Sequence, residues 1–169
     1  VVLKGVKCSC LQSIVRVLQE MGCTIFCGED YIIISSSGKL KAIPFIKTMP
    51  YPGFPTDMQS QMMSVMMRAS GISKIVEDIF EGRYQNVQEQ VKFGADIKVT
   101  EREATIYGVT KLIGCEVYAS ELRGGAALVI SGLMAEGKTI IHNPNFIERG
   151  YEDICRDLRC LHADIRYVS

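Results

Sequence analysis

Asp57, Arg83, Arg123 and Arg149 have the types and the placement to hold an anion and to move a proton. A guanidinium is a planar fork of donors that meets a phosphate or carboxylate at two points, as a lysine cannot. A carboxylate fixed beside such groups can take the proton of a hydroxyl. Asp57 follows Pro50-Tyr51-Pro52-Gly53-Phe54-Pro55. Each proline there fixes its own φ and biases the preceding residue towards extended geometry, so no helix starts before Pro55 is passed. Thr56-Asp57-Met58-Gln59 then has the spacing of a capping box, which predicts that Thr56 and Gln59 satisfy the free amides of the first turn. Asp57 falls where the helix dipole favours an anion. Arg123 opens Leu122-Arg123-Gly124-Gly125-Ala126-Ala127, whose small residues let a ligand approach the first-turn amides. Arg149 stands before Gly150 at the start of the following helix, and Arg83 in the corresponding turn of another unit. Taken singly, Asp57 could be a plain helix-start carboxylate and each arginine a surface partner of Glu81, Glu121 or Glu148. Three arginines at equivalent ends argue for an anion-binding rim around one positioned carboxylate.

The elements that must position these groups come from a repeat. Residues Pro55 to Ile75 align with Glu121 to Ile141, so that Asp57 falls opposite Arg123 and Ala69-Ser70-Gly71 opposite Ala135-Glu136-Gly137. The next segments end in Gly94-Ala95-Asp96-Ile97 and His162-Ala163-Asp164-Ile165, and an earlier partial copy ends in Gly22-Cys23-Thr24-Ile25. Within a unit, helix-spaced positions such as Val15 and Leu18, or Val87 and Val91, alternate with β-rich runs such as Tyr31 to Ile34 and Ala104 to Tyr107. The order is helix, strand, strand, strand, helix, strand. A period of about 67 residues is too long for a helical solenoid and too helical for a propeller blade, which leaves about three α/β units around a shared core. The helices Met58 to Met67 and Leu122 to Met134 are apolar on most sides and are expected inside. Their methionines at 58, 62, 63, 66 and 67 read as core packing.

Composition narrows the function. With 169 residues, 47% of them hydrophobic, the chain suits one domain with a substantial core. Nineteen basic residues balance nineteen acidic ones, so no overall field draws nucleic acid or an acidic membrane, and any anion must be met by local clusters. No stretch approaches the ~20 apolar residues of a membrane helix, and the N-terminal region is too polar for a signal peptide. A soluble cytoplasmic protein is expected. The seven cysteines are odd in number and read as reduced, buried thiols. They lack zinc-knuckle spacing, and His142 and His162 stand apart from them, so no metal and no cofactor are expected. Cys115 reads as core filler in an alternating strand. The chain opens at Val1 without an initiator methionine, which suggests a segment missing upstream.

At Pro52-Gly53-Phe54-Pro55-Thr56-Asp57-Met58-Gln59, Phe80-Glu81-Gly82-Arg83-Tyr84, Leu122-Arg123-Gly124-Gly125-Ala126-Ala127-Leu128-Val129 and Ile147-Glu148-Arg149-Gly150-Tyr151-Glu152 the chain resembles the enolpyruvyl transferases. It is most similar to their peptidoglycan branch, which acts on UDP-N-acetylglucosamine. The sibling branch that makes enolpyruvylshikimate phosphate shares the repeat but lacks the proline loop. A non-catalytic sugar-nucleotide-binding domain is the other reading, if 169 residues are the whole product.

The resemblance implies an inside-out α/β barrel of about three repeated units, helices inside and sheets outside. Residues 1–169 would form one such domain, the C-terminal portion of a two-domain enzyme. A reactive-cysteine loop and a Lys-Asn pair would lie in the absent N-terminal portion. The implied substrates are phosphoenolpyruvate and the 3-hydroxyl of the sugar nucleotide. By the same resemblance Asp57 contacts that hydroxyl and takes its proton, Ile79 touches the sugar nucleotide, Arg123 and Arg149 hold phosphoenolpyruvate on domain closure, and Arg83 is a further substrate-binding arginine. Glu121 stands where the family usually has Asp, and Gly82 where it usually has Asn. The fragment alone is expected to be inactive, since its site needs both walls.

Overall fold

The computed structural model describes residues 1–168. After a short strand β1 (Val2–Lys4), the chain runs α1 (Gln12–Glu20), β2 (Thr24–Cys27), β3 (Tyr31–Ser35), β4 (Ile46–Lys47), α2 (Gln59–Met66) and β5 (Ile72–Val76). It then repeats that order as α3 (Val87–Val91), β6 (Asp96–Thr100), β7 (Glu103–Tyr107), β8 (Glu116–Tyr118), α4 (Leu122–Met134) and β9 (Ile140–His142), and closes with α5 (Asn145–Glu148) and α6 (Ile154–Arg159). The helix-strand-strand-strand-helix-strand order read from the sequence thus occurs twice. The repeat also holds in the backbone. Gly22, Gly94 and His162, aligned as the ends of three copies, have φ of 105°, 87° and 65°, a left-handed conformation that a turn out of a helix requires.

The strands form three sheets, ordered β1-β3-β2, β4-β5-β7-β6 and β8-β9. In two of them a helix crosses between parallel neighbours. β4 pairs with β5 across α2, in register Ile46 with Ile75, and β8 pairs with β9 across α4, Val117 with Ile141. Parallel neighbours need such a crossover, which sends the helix over one face of the sheet. The fold is mixed α/β, and the described strands do not close into a barrel.

α2 and α4 are the buried helices, as their composition requires. Met62, Met63, Met66 and Met67 are each at most 3% exposed, so the methionine cluster is core. Gly125 lets α4 come close to its neighbours, because a Cβ there would stand 2.6 Å from Ile147 Cγ1 and 3.2 Å from Ala119 Cβ. Where α2, α3 and α4 meet, Gln90 Nε2 donates to Ser64 Oγ at 3.0 Å, Ser64 Oγ donates to Ala127 O at 3.0 Å, and Ser131 Oγ donates to Gln90 Oε1 at 2.6 Å. All three side chains are buried, so these bonds replace the water they lost on folding.

The cysteine expectation needs correcting. Cys8 and Cys27 form a disulfide with Cα atoms 5.9 Å apart, and of the five free cysteines only Cys155 is buried. Cys8 opens a 3-10 turn and Cys27 ends the mostly exposed β2, so neither has a core to enter. Cys115 lies just before β8, packed against the main core, and burial pushes its thiol up, the wrong direction for a nucleophile.

Candidate active site

The site lies where the starts of α2 and α4 meet. Positions 66 apart in the repeat, Asp57 and Arg123, come into direct contact, with Arg123 Nε donating to Asp57 Oδ1. Arg83 Nη2 approaches the same oxygen at 3.5 Å. Arg83 is largely buried, its side chain 13% exposed, and its guanidinium carbon stands 4.8 Å above the Phe80 ring. Asp57 itself is open to solvent, its side chain 61% exposed. The hydrogen bond from Arg123 lowers the Asp57 pKa; desolvation opposes it, and the charges of Arg123 and Arg83 add to the lowering. The same bond raises Arg123. A carboxylate and two guanidinium groups thus share one exposed corner, an arrangement able to exchange Asp57 for an incoming anion as the arginines' partner.

The helix starts are built differently from the sequence expectation. Thr56 and Gln59 do not form a capping box. Thr56–Met58 is a 3-10 turn without a side-chain cap, and α2 begins at Gln59. Thr56 Oγ1 instead donates to Glu77 Oε2 at 2.9 Å and accepts from Arg83 Nε at 3.2 Å. The charged donor Arg83 takes the Thr56 oxygen that a neutral first-turn amide would otherwise use. Gln59 turns into the core, where its Oε1 accepts from Ser60 Oγ. On α4 the cap is made by Glu121, whose carboxylate accepts from the amides of Arg123 and Gly124. The longer side chain at 121 therefore still reaches the first turn, and it occupies the amides that the sequence reading left for a ligand. Gly82, in the turn before Arg83, has φ 78°, a conformation a side chain disfavours.

Ile79 is exposed, with its amide donating to Glu77 Oε1 at 2.9 Å. Arg149 is not in the pair. It follows the single turn of α5 instead of opening a helix, and its exposed side chain has no hydrogen bond or ion pair among the described residues. Its neighbour Gly150 abuts Leu122, with a Cβ at 150 falling 2.7 Å from Leu122 Cδ2, so the Arg149 turn adjoins the start of α4. Two of the three arginines thus meet at Asp57, and the third lies on a turn that adjoins the start of α4.

Glu77 is the residue that sequence reasoning missed. It is 2% exposed and accepts from Thr48 Oγ1, Thr56 Oγ1 and the amides of Ile79 and Phe80, all at 2.9 to 3.0 Å. The signal was present: Ser73 and Ile75 are buried members of β5, and period 2 puts Glu77 on their face. Among the described residues no cluster of three or more His, Cys, Asp or Glu could hold a metal ion, and no helix is long and apolar enough to cross a membrane.

Paired helix crossovers that bring a carboxylate on one start against a guanidinium on the other build a corner suited to anionic groups, and the comparisons with known proteins identify the family. The chain belongs to the EPSP synthase family (3-phosphoshikimate 1-carboxyvinyltransferase), whose sequence model matches residues 1–158. Within it, the chain is 48% identical over 165 residues to a UDP-N-acetylglucosamine 1-carboxyvinyltransferase of Desulfofundulus thermocisternus, covering 98% of this chain and 68% of that protein. It is 47% identical over 155 residues to UDP-N-acetylglucosamine 1-carboxyvinyltransferase 2 of Caldanaerobacter subterraneus subsp. tengcongensis, covering 92% of this chain but only 37% of the relative. The fold is similar to that of the enolpyruvyl transferase NikO from Streptomyces tendae, with TM-score 0.84 and 26% identity over 94% of this chain and 36% of that one.

Proposed function

We propose that this chain supplies one wall of a UDP-N-acetylglucosamine 1-carboxyvinyltransferase, a peptidoglycan-synthesis enzyme of the cytoplasm that moves the enolpyruvyl group of phosphoenolpyruvate to the 3-hydroxyl of the sugar. Residues 1–169 then belong to one domain of an inside-out barrel, and a second domain closes the site over its substrates. The hydroxyl oxygen bonds carbon 2 of phosphoenolpyruvate as its proton goes to Asp57, and carbon 3 takes a proton from solvent. Phosphate then leaves carbon 2 while carbon 3 returns a proton to solvent, which restores the double bond, and the proton on Asp57 passes to the departing phosphate. Arg123 and Arg149 hold the phosphate and carboxylate of phosphoenolpyruvate, Arg83 steadies Asp57, and Ile79 touches the sugar nucleotide. The reaction as written calls for neither a metal nor a cofactor.

The observation that carries this reading is the Asp57–Arg123 contact with Arg83 beside it. It joins a carboxylate able to take a proton to two guanidinium groups, one of them a proposed holder of phosphoenolpyruvate. The test is to extend the reading frame upstream of Val1, express the longer product, and measure phosphate release from phosphoenolpyruvate with UDP-N-acetylglucosamine and, separately, with 3-phosphoshikimate. Turnover with the sugar nucleotide that falls by about 10²- to 10⁴-fold in Asp57→Ala is expected. Turnover with 3-phosphoshikimate alone would replace the substrate, and turnover by the 169-residue chain alone would remove the need for a second wall.

A further inference from the structure

Glu77 is an expensive residue to keep. A buried carboxylate loses its hydration, and well-packed apolar residues often do as well or better at such positions. No lysine or arginine among the described residues pairs with it. Four donors meet its two carboxylate oxygens instead. These donors belong to three separate segments: Thr48 directly after β4, Thr56 at the end of the proline loop, and the Ile79–Phe80 turn. One carboxylate thus ties the end of the sheet to both segments that carry residues of the proposed sugar side.

The direction of the bonds matters as much as their number. A threonine hydroxyl has one proton. Because Glu77 Oε2 takes the proton of Thr56, the oxygen of Thr56 keeps its lone pairs for Arg83 Nε. Arg83 is thereby left with Nη2 facing Asp57. The relay runs from Glu77 through Thr56 and Arg83 to Asp57, and separately from Glu77 through the amide of Ile79.

We infer that Glu77 is a positioning residue that sets the orientation of Arg83 beside Asp57 and the placement of Ile79, an assignment that rests on the proposed transferase reading for its kinetic consequence. Glu77→Gln keeps the shape and one carbonyl oxygen for Thr48 and the two amides. Its NH2 then faces Thr56 Oγ1, so the threonine hydroxyl must turn and the lone pair it offers to Arg83 is re-aimed.

The test uses the upstream-extended product for kinetics and the 169-residue chain for NMR. Glu77→Gln is expected to lower kcat and raise KM for UDP-N-acetylglucosamine, with a combined loss of about 100-fold and KM for phosphoenolpyruvate within about twofold of the parent. Thr56→Val should lower kcat in the same direction, Thr56→Ser should restore it, and the Thr56→Val/Glu77→Gln double variant should be no worse than Glu77→Gln, because the two act in series. In the chain itself the Arg83 Nε–H resonance should move in both Glu77→Gln and Thr56→Val. Kinetic constants of Glu77→Gln all within twofold of the parent, additive losses in the double variant, or an unmoved Arg83 resonance would each overturn the inference. A parent with no turnover on either substrate would sink the transferase reading alone, and the Arg83 resonance would then decide the positioning role.

Discussion

The two helix crossovers of this chain, β4–α2–β5 and β8–α4–β9, have the same backbone plan and opposite chemistry at their starts. One presents Asp57 and the other Arg123, and the repeat brings those equivalent positions into contact. The first start is tied to its sheet by a buried carboxylate, Glu77, and the second is capped by the carboxylate of Glu121 on its own amides. They also differ in cover. β5 continues into a four-stranded sheet, whereas β9 pairs only with β8 among the described residues. Phe93 at the end of the first unit is fully buried, and its counterpart Leu161 is 49% exposed. A hollow of about 370 Å³ lies along β9, lined by residues that include Val129, Ile141, Ile154 and Ile165. A repeated plan can thus build a site by placing opposite charges at equivalent positions, while the capping and packing around the two copies diverge.

The sharpest way to break the comparison is to exchange its two charges. Asp57→Arg with Arg123→Asp keeps an ion pair at the corner but puts the acid on α4. Phosphate release by the upstream-extended product should stay about 10²- to 10⁴-fold below the parent, as in each single variant; recovery to within tenfold would mean that the pair matters and its polarity does not. The difference in cover is sharpened by truncating the equivalent residues. Phe93→Ala should cost about 3–5 kcal/mol in denaturant unfolding, and Leu161→Ala about 0.5 kcal/mol. Equal losses would mean that the second unit is packed as tightly as the first.

The smallest effect is a titration. Arg123→Gln removes the bond that holds Asp57 below its ordinary value, so the carboxyl resonance of Asp57 should titrate closer to about pH 3.9. The sign for stability follows from that depression. The Asp57–Arg123 interaction contributes fully above the unfolded pKa and is lost as pH falls through the lower folded value. Acid unfolding below about pH 4 should therefore start at slightly higher pH in the Arg123→Gln variant.

Much of this was legible in the sequence, for reasons that particular residues show. The order of elements, the two buried helices and the Asp57–Arg123 opposition all followed from a repeat whose period could be counted. The capping box was misread because local spacing cannot reveal a distant competitor: Arg83, 27 residues away, donates to the Thr56 oxygen in place of a first-turn amide. Glu77 was missed because its burial shows only in alternation with Ser73 and Ile75, in a run where Asp78, the next residue, is an ordinary exposed partner of Lys47 and Arg102. Arg149 was set on the start of a helix because the repeat aligns its turn with that of Arg83, yet the chain at Arg149 leaves the single turn of α5 and the next helix begins only at Ile154. The disulfide was hidden because Cys8 and Cys27 are joined by the pairing of strands, which a count of cysteines does not contain.

The bonds among Ser64, Gln90 and Ser131 have a consequence for inheritance. Each of these side chains satisfies another out of reach of water, so changing one alone strands its neighbours. A lineage that drifts at any of the three must either reverse or revise the others. Across related sequences the trio is therefore expected to vary as a linked set, a heritable lock on how three helices meet.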